Sequence, residues 1–178
     1  MRVIMVAAVS KDGYIADENG DVTKWTSPED KTFFQKIKSE HPLYVMGSKT
    51  YDAIPKPLVG ESTRVVLTSR KEQYKNEATE KVVFEHTSPH EFIKKFSKNF
   101  DSCLLLGGAK LYTDFLEAKL VDEVFLTVEP VNLGAGTSLL ENGINFYAYP
   151  FTLESDDSIN AIGTTLKHYT SKSVKNLV

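Results

Sequence analysis

The chain has 178 residues, with 21 Lys and Arg against 24 Asp and Glu, a formal net charge of -3 and a pI of about 5.8. A hydrophobic share of 41%, a charged share of 25%, ten glycines and seven prolines are ordinary globular values, which excludes a disordered, collagen-like or disulfide-scaffold chain. The near-balanced charge excludes a dedicated nucleic-acid binder, which needs a basic excess to neutralise phosphates. The length fits one domain, long enough to bury about 70% of its unfolded surface without a staple.

Cys103 is the only cysteine, so an internal disulfide and a Cys-rich zinc site are both excluded. A lone thiol suits the reducing cytosol, and a cytoplasmic protein is expected. The run Val3 to Val9 imitates a signal peptide, but Lys11-Asp12 stands where a small-residue cleavage site belongs. No window reaches the roughly 18 apolar residues of a membrane span.

In chain order, Val3 to Val9 is continuously apolar, the pattern of a central strand covered on both faces. Ser10 to Gly13 turns the chain, Tyr14 to Ala16 is a short extended piece, and Asp17 to Asp21 is a polar loop. Ser27-Pro28-Glu29-Asp30 spells a helix start, with Ser27 as N-cap and Asp30 in the capping-box position. The helix is expected to run to about Glu40, with Phe33, Phe34 and Ile37 inward and Lys31, Gln35, Lys36 and Lys38 in solvent. Leu43 to Met46 is the next strand, and Ser48 to Ile54 a short helix stopped by Pro55 and Pro57. Thr63 to Thr68 and Lys81 to Glu85 read as strands. Ser88-Pro89-His90-Glu91 is a second capping box, opening a helix that buries Phe92, Ile93 and Phe96. Cys103 to Leu106 is a strand, Ala109 to about Leu120 a helix, and Val121 to Val131 an alternating strand. Phe151 to Leu153 and Thr164 to Thr170 form further strands or a hairpin. Strands alternating with helices predict an α/β fold with a mainly parallel sheet and an antiparallel C-terminal edge.

Ligands of such sheets bind beyond the carboxyl ends of the strands, where helix N-termini turn N–H groups outward. Gly47-Ser48-Lys49-Thr50, Thr68-Ser69-Arg70 and Gly107-Gly108-Ala109-Lys110 each follow a strand with small residues and one cation. Together they predict a phosphate-bearing ligand lying across the sheet edge, although each alone is also ordinary turn geometry. The P-loop and dinucleotide fingerprints both fail. Lys does not directly follow Gly47 and Pro42 replaces the earlier Gly, while Gly134-Ala135-Gly136 lacks its third small residue and a following helix. Asp30 has two readings: a capping carboxylate folded back on the Ser27 N–H, or an acid beside Trp25 and Phe34 in an apolar cleft that raises its pKa. His41, His86, His90 and His168 show no ligand spacing and read as solvated or structural; no metal is expected.

An ordered set of segments now stands out: Ala7-Ala8, Asp12-Gly13-Tyr14-Ile15, Trp25 with Pro28-x-Asp30 and Phe34, Val45-Met46-Gly47-x-x-Thr50, Leu67-Thr68-Ser69-Arg70, Leu106-Gly107-Gly108-Ala109-x-Leu111-Tyr112, Leu126-Thr127 and Gly136-Thr137. Over about residues 3 to 140 it resembles the dihydrofolate reductase superfamily, with a folate branch and the reductase domain of the riboflavin-pathway deaminase/reductase. The resemblance implies a single-domain, three-layer α/β fold with helices on both faces of the sheet, an NADPH cofactor and a small pyrimidine or pterin substrate. It places Gly47, Ser48, Lys49, Thr50, Gly107, Gly108, Ala109, Lys110, Leu111 and Tyr112 around the pyrophosphate and nicotinamide. Leu67, Thr68, Ser69 and Arg70 fall at the adenosine end, with Arg70 on the 2′-phosphate, and Ala8, Ile15, Leu106 and Thr137 complete that site. Asp30, Thr127 and Trp25 become the catalytic group, and Val6, Ala7, Lys31, Phe34 and Ile54 the substrate contacts.

Departures divide the branches. Glu61 follows the Pro-x-Pro-Leu-x-Gly segment where folate enzymes place an Arg, and Lys31 replaces an apolar residue, which suits a phosphorylated substrate. The riboflavin branch's Asp-Asp-Pro is missing, and Tyr51-Asp52-Ala53-Ile54-Pro55 is folate-like. The zinc-deaminase signature does not occur in these residues. The expected activity is 5-amino-6-(5-phosphoribosylamino)uracil reduction. The alternatives are dihydrofolate reduction, or a catalytically inactive nucleotide-binding module of the same fold. A homodimer follows from the riboflavin branch alone.

Overall fold

The computed structural model describes residues 1–54, 56 and 60–172. Its strands are β1 (Arg2–Ser10), β2 (Tyr14–Asp17), β3 (Leu43–Gly47), β4 (Thr63–Leu67), β5 (Val82–Glu85), β6 (Ser102–Leu105), β7 (Glu123–Glu129), β8 (Gly136–Ser138), β9 (Phe151–Ser158) and β10 (Thr165–Ser171). Its helices are α1 (Pro28–Ser39), α2 (Ser48–Ala53), α3 (Pro89–Phe96) and α4 (Ala109–Glu117). An eight-stranded sheet runs β5-β4-β3-β6-β1-β7-β10-β9. Every pair from β5 to β7 is parallel, and β10 and β9 close the sheet as an antiparallel hairpin. The expected α/β class, parallel sheet and antiparallel C-terminal edge are all present.

Strand β1 explains the layering. Its alternate side chains serve two cores: Val3, Met5, Ala7 and Val9 pack with Phe92, Leu111, Phe115 and Leu126, while Ile4 and Val6 pack with Ile37, Tyr44 and Met46. α3 and α4 therefore cover one face, and α1 and α2 the other. Each fully buried aliphatic side chain contributes about 1.5–3 kcal/mol, so these two cores dominate the folding free energy.

The helix starts follow their caps. In α3 the Ser88 side chain accepts from Glu91 N, and Glu91 accepts from Ser88 N at 2.8 Å, a closed capping box. In α1 only half of the box forms: Ser27 Oγ accepts from Asp30 N at 3.2 Å. The Asp30 carboxylate does not return to the Ser27 N–H.

The differences from sequence have local causes. α4 ends at Glu117 rather than near Leu120, because Lys119 turns left-handed at φ 57. β7 stops at Glu129, before Pro130, which has no N–H to give a ladder. Ile54 is extended (φ -85, ψ 144), so α2 ends one residue early. Pro55 and Pro57, expected to stop it, lie outside the described residues. Lys38 is not simply solvated: its ammonium lies over the rings of Phe34 and Tyr44, 5.0 and 5.6 Å from their centroids. The three-residue β8 has too little pattern to be read, yet it pairs with β2.

That small sheet ties the first turn to the loop after β7. Asp12 accepts from Ser10 Oγ at 2.6 Å, Gly134 N at 2.8 Å and Leu133 N at 3.1 Å, and these bonds hold its carboxyl down at about 2. Gly136 sits against β2 so closely that a β-carbon would stand 2.0 Å from the Ala16 carbonyl oxygen, at φ +148. Among the described residues no helix is long and apolar enough to cross a membrane.

Gly136→Ala is expected to lower stability by about 2–3 kcal/mol through clash and backbone strain. Gly134→Ala, at φ +74 with open space around it, is expected to cost about 1 kcal/mol. Urea midpoints at unchanged slope check the pair, and equal losses would contradict the close approach.

Candidate functional site

Strand β7 delivers the polar half of the site. Its alternation turns Val124, Leu126 and Val128 toward one core and leaves Phe125, Thr127 and Glu129 on the α1 side. Thr127 is 1% exposed and Glu129 2%. Glu129 Oε1 accepts from Ser27 N at 2.7 Å and Oε2 accepts from Thr164 Oγ1 at 2.7 Å. With that N–H taken, Asp30, 9% exposed, presents its carboxyl to the hydroxyls of Thr127 and Thr26. Burial pushes the Asp30 carboxyl above the usual carboxylate value. The Thr127 hydrogen bond pulls it down, the charge of Glu129 pushes it up, and Thr26 and Lys31 are smaller opposing influences. Of the two readings of Asp30, the closed capping box is not formed: the Ser27 N–H goes to Glu129 and the Asp30 carboxyl stays buried beside Thr127.

On β1, Val6 is buried toward the α1-side core and Ala7 toward the opposite one, Ala8 lies in register with Thr127, and Phe34 and Ile54 pack against the α1-side core. Phe33 leans on Phe125 with centroids 5.5 Å apart. The loop before α1 is held by its own carboxylates. Asp17 accepts from Asn19 N and Asp21 N, and Asp21 accepts from Thr23 N and Lys24 N, while Trp25 Nε1 donates to Asp21 O at 3.1 Å. The Lys24 ion pair and these N–H bonds hold the Asp21 carboxyl well below the usual range.

The glycine-bearing ends of β3 and β6 meet side by side. Gly47 N donates to Gly107 O at 2.8 Å, and Leu106 N donates to Val45 O at 2.8 Å. The Gly107–Gly108 peptide is cis, and Gly107 has φ +100, a conformation L side chains rarely adopt. A β-carbon on Gly107 would lie 3.4 Å from Tyr112 Oη and 3.5 Å from Thr50 Oγ1. Next along the edge, Arg70 Nη2 donates to Ser48 Oγ at 3.2 Å and lies 4.0 Å from Asp52 Oδ2. Arg70, Ser69, Lys71 and His86 line an open hollow of about 510 Å³ at the end of β4.

The structure thus brings together Asp30, Thr127 and Trp25's loop on one side, and Gly47, Ser48, Thr50, Gly107, Gly108 and Arg70 on the other. Thr68 is buried and its Oγ1 accepts from Arg70 N at 3.1 Å. Lys49 and Lys31 are exposed at their helix starts, and Ala109 is buried at the first turn of α4. Leu67 and Leu106 are half-buried at strand ends. Thr137 is exposed on β8 opposite Ala16, and Ile15 leans on the α4-side core. Other residues have different partners. Lys110 is ion-paired with Asp114 at 2.9 Å on its own helix. Leu111 points into the core, and Tyr112 is buried with its hydroxyl donating to Val6 O at 2.6 Å, so it braces β1 from behind Gly107. Glu61 faces solvent beside Lys81, 3.6 Å away.

Sequence reading did not single out Glu129, Lys71 or Asp52, and took His86 as solvated or structural. A signal existed for Glu129: it shares parity with Thr127 on an otherwise apolar strand, where an acid needs buried partners.

A parallel sheet with an antiparallel C-terminal hairpin, and a buried acid at the start of the first helix facing the strand next to β1, define the dihydrofolate reductase-like superfamily. Within it, the chain belongs to the RibD C-terminal domain family, which matches residues 1–166. It is 31% identical over 150 residues to the uncharacterized protein YyaP of Bacillus subtilis, covering 78% of this chain and 79% of that one. Its fold matches a diaminohydroxyphosphoribosylaminopyrimidine deaminase/5-amino-6-(5-phosphoribosylamino)uracil reductase of Thermotoga maritima at a TM-score of 0.75 and 17% identity, covering 96% of this chain and 56% of that one. It also matches the dihydrofolate reductase of Enterococcus faecalis complexed with NADP(H), at a TM-score of 0.73 and 18% identity over 96% of each chain.

The raised Asp30 value sets a sign. Its unfolded value is 3.8 and its folded value lies higher, so the folded chain binds the extra proton between the two. This group's contribution to stability is therefore lost as pH rises from 3.8 through the folded value. Asp30→Asn is expected to flatten that decline and to raise stability near neutrality, read from urea midpoints across the acid-to-neutral range. Thr127→Val, which removes the bond favouring the charged form, is expected to move the Asp30 titration further up. A downward move would contradict the assigned contact.

Proposed function

We propose that this protein is an NADPH-dependent reductase that acts on a pyrimidine-type substrate of the 5-amino-6-(5-phosphoribosylamino)uracil group. The observation that carries the reading is the pairing, on one sheet edge, of a buried acid with a glycine junction open to a phosphate ligand. In the order β4-β3-β6-β1-β7, only β6 and β1 separate the strand that ends at Gly47 from the strand that bears Thr127.

The residues fit the cofactor. Gly47, Gly107 and Gly108 carry no side chain, which lets their backbones pack together with Thr50 and Tyr112 at the edge a pyrophosphate would approach. Arg70 and Ser48 offer a guanidinium fork and a hydroxyl for a 2′-phosphate, with Lys71 and His86 beside them in the same hollow. When bound, NADPH supplies the hydride. The chain supplies position, dryness and a proton. Asp30, kept protonated to higher pH by burial, donates from one carboxyl oxygen and accepts at the other, a match for an amino-pyrimidine edge. Thr127 fixes its rotation. Phe34, Val6 and Trp25 exclude water, which strengthens the polar contacts inside. The exposed Lys31 supplies a cation next to the acid for a substrate phosphate. The Thermotoga maritima neighbour, a 5-amino-6-(5-phosphoribosylamino)uracil reductase, accords with this substrate class.

Dihydrofolate reduction is the second reading. It is favoured by the exposure of Glu61, which points to solvent beside Lys81 and is spared as a repulsive charge.

A cofactor-oxidation assay with the phosphoribosylaminopyrimidine and with dihydrofolate decides between them. The first is expected to be the better substrate, and turnover of neither would overturn the assignment. Asp30→Asn is expected to lower kcat by about 100-fold or more. Arg70→Ala is expected to weaken NADPH about tenfold while leaving NADH nearly unchanged. Equal losses for both cofactors would remove Arg70 from the 2′-phosphate.

A further inference from the structure

Two helices in this chain begin with the same signature, Ser-Pro-x-acid, and their caps differ. At α3 the box closes, with Glu91 accepting from the Ser88 N–H at 2.8 Å. At α1 the equivalent N–H, that of Ser27, is taken at 2.7 Å by Glu129, a side chain 102 residues away on β7. Asp is one methylene shorter than Glu, which weakens its own return bond, but the decisive fact is that the donor is already occupied. Glu129 is itself firmly held. Its second oxygen accepts from Thr164 Oγ1 at 2.7 Å, and Asn160 Nδ2 donates both to Thr164 Oγ1 at 2.9 Å and to Glu29 Oε2 at 3.1 Å. The turn between β9 and β10, the end of β7 and the start of α1 thus converge on one buried carboxylate. Both of its oxygens accept a hydrogen bond.

We propose that Glu129 is the positioning residue for Asp30: by occupying the Ser27 N–H it keeps the Asp30 carboxyl out of the capping box and turned into the cleft toward Thr127. The inference rests on the reading of Asp30 as the site's acid. A second consequence follows from proximity. Like charges buried near one another resist joint ionisation, so the charge of Glu129 favours the protonated form of Asp30. The charged groups acting on Asp30 are Glu129 from β7 and Lys31 from its own helix, and the hydroxyls facing it are those of Thr127 and Thr26. Glu129 touches no reacting atom in this scheme; it acts through Asp30.

The test uses the full chain and follows the Asp30 carboxyl by carbon-13 chemical shift and the Ser27 amide by proton and nitrogen shift. In the wild type, the Ser27 amide is expected to be insensitive to the Asp30 titration. In Glu129→Ala the freed N–H is expected to pass to Asp30. The Ser27 amide then follows the Asp30 titration, the Asp30 midpoint falls by about one pH unit or more, and kcat drops about tenfold or more with KM for NADPH unchanged. Glu129→Gln keeps an acceptor for Ser27 and removes the charge. It is expected to retain most of kcat while the Asp30 midpoint, and the basic limb of the pH–rate profile, move to lower pH. A Ser27 amide blind to Asp30 in Glu129→Ala, or an Asp30 midpoint unchanged in Glu129→Gln, would overturn the proposal. The second variant alone decides if the first does not fold. If the wild type reduces neither substrate, the proposed function fails, and the two shift titrations still judge Glu129.

Discussion

Strand β1 has no face left for water, and most of the molecule is a consequence of that. Its alternate side chains serve different cores, so helices must lie on both sides of the sheet. Helices that return to a parallel sheet enter and leave at opposite ends, which gathers the β3, β4 and β6 carboxyl ends on one edge. The apolar demand of one strand thereby decides where polar chemistry can sit. Tyr112 shows the two demands meeting: it fills the α4-side core and spends its hydroxyl on the Val6 carbonyl, directly behind the glycine pair.

The acid end reverses the usual economy of a buried interior. A buried carboxylate is costly unless its lone pairs are satisfied, and here two carboxyl groups share one region. Glu129 is satisfied by a backbone N–H and a threonine hydroxyl, leaving Asp30 with hydroxyl partners and an opposing charge. The chain tolerates an acid that is less comfortable than it could be. A closed capping box would have stabilised α1 more simply, as it does α3. Keeping Asp30 free of that box is a local cost to α1.

How much of this could be read from sequence depended on the range of the interaction. Capping serines, the two-faced β1 and the alternating β7 were legible because their signals are local and periodic. The ends of α4 and β7 shifted because a left-handed Lys119 and Pro130 override the apolar pattern. β8 stayed hidden because three exposed residues carry no periodicity, and its pairing with β2 depends on Gly136 reaching the Ala16 backbone. At the site, the glycine junction and Asp30 stood out by residue type, while the choice between two roles for Asp30 was closed to local reading. That choice is made by Glu129 across 102 positions of sequence. Lys110, a cation at a strand end, has a carboxylate partner four residues on that the sequence reading did not weigh.

The small net charge conceals a local gathering of cations and helix N-termini at the glycine-bearing edge. At this edge stand Arg70, exposed Lys49, Lys110 in its surface ion pair with Asp114, and the backbone N–H groups at the starts of α2 and α4. Arg70 also has a carboxylate neighbour, Asp52, but at 4.0 Å with both side chains about half exposed, that pair is worth under about 1 kcal/mol. Asp52 has a second tie, accepting from Tyr74 Oη at 2.9 Å, which holds it in place when Arg70 turns away. A phosphate that accepts in parallel from a guanidinium gains about 1.5–3 kcal/mol. A phosphate placed beside Arg70 would therefore outcompete Asp52 for the guanidinium.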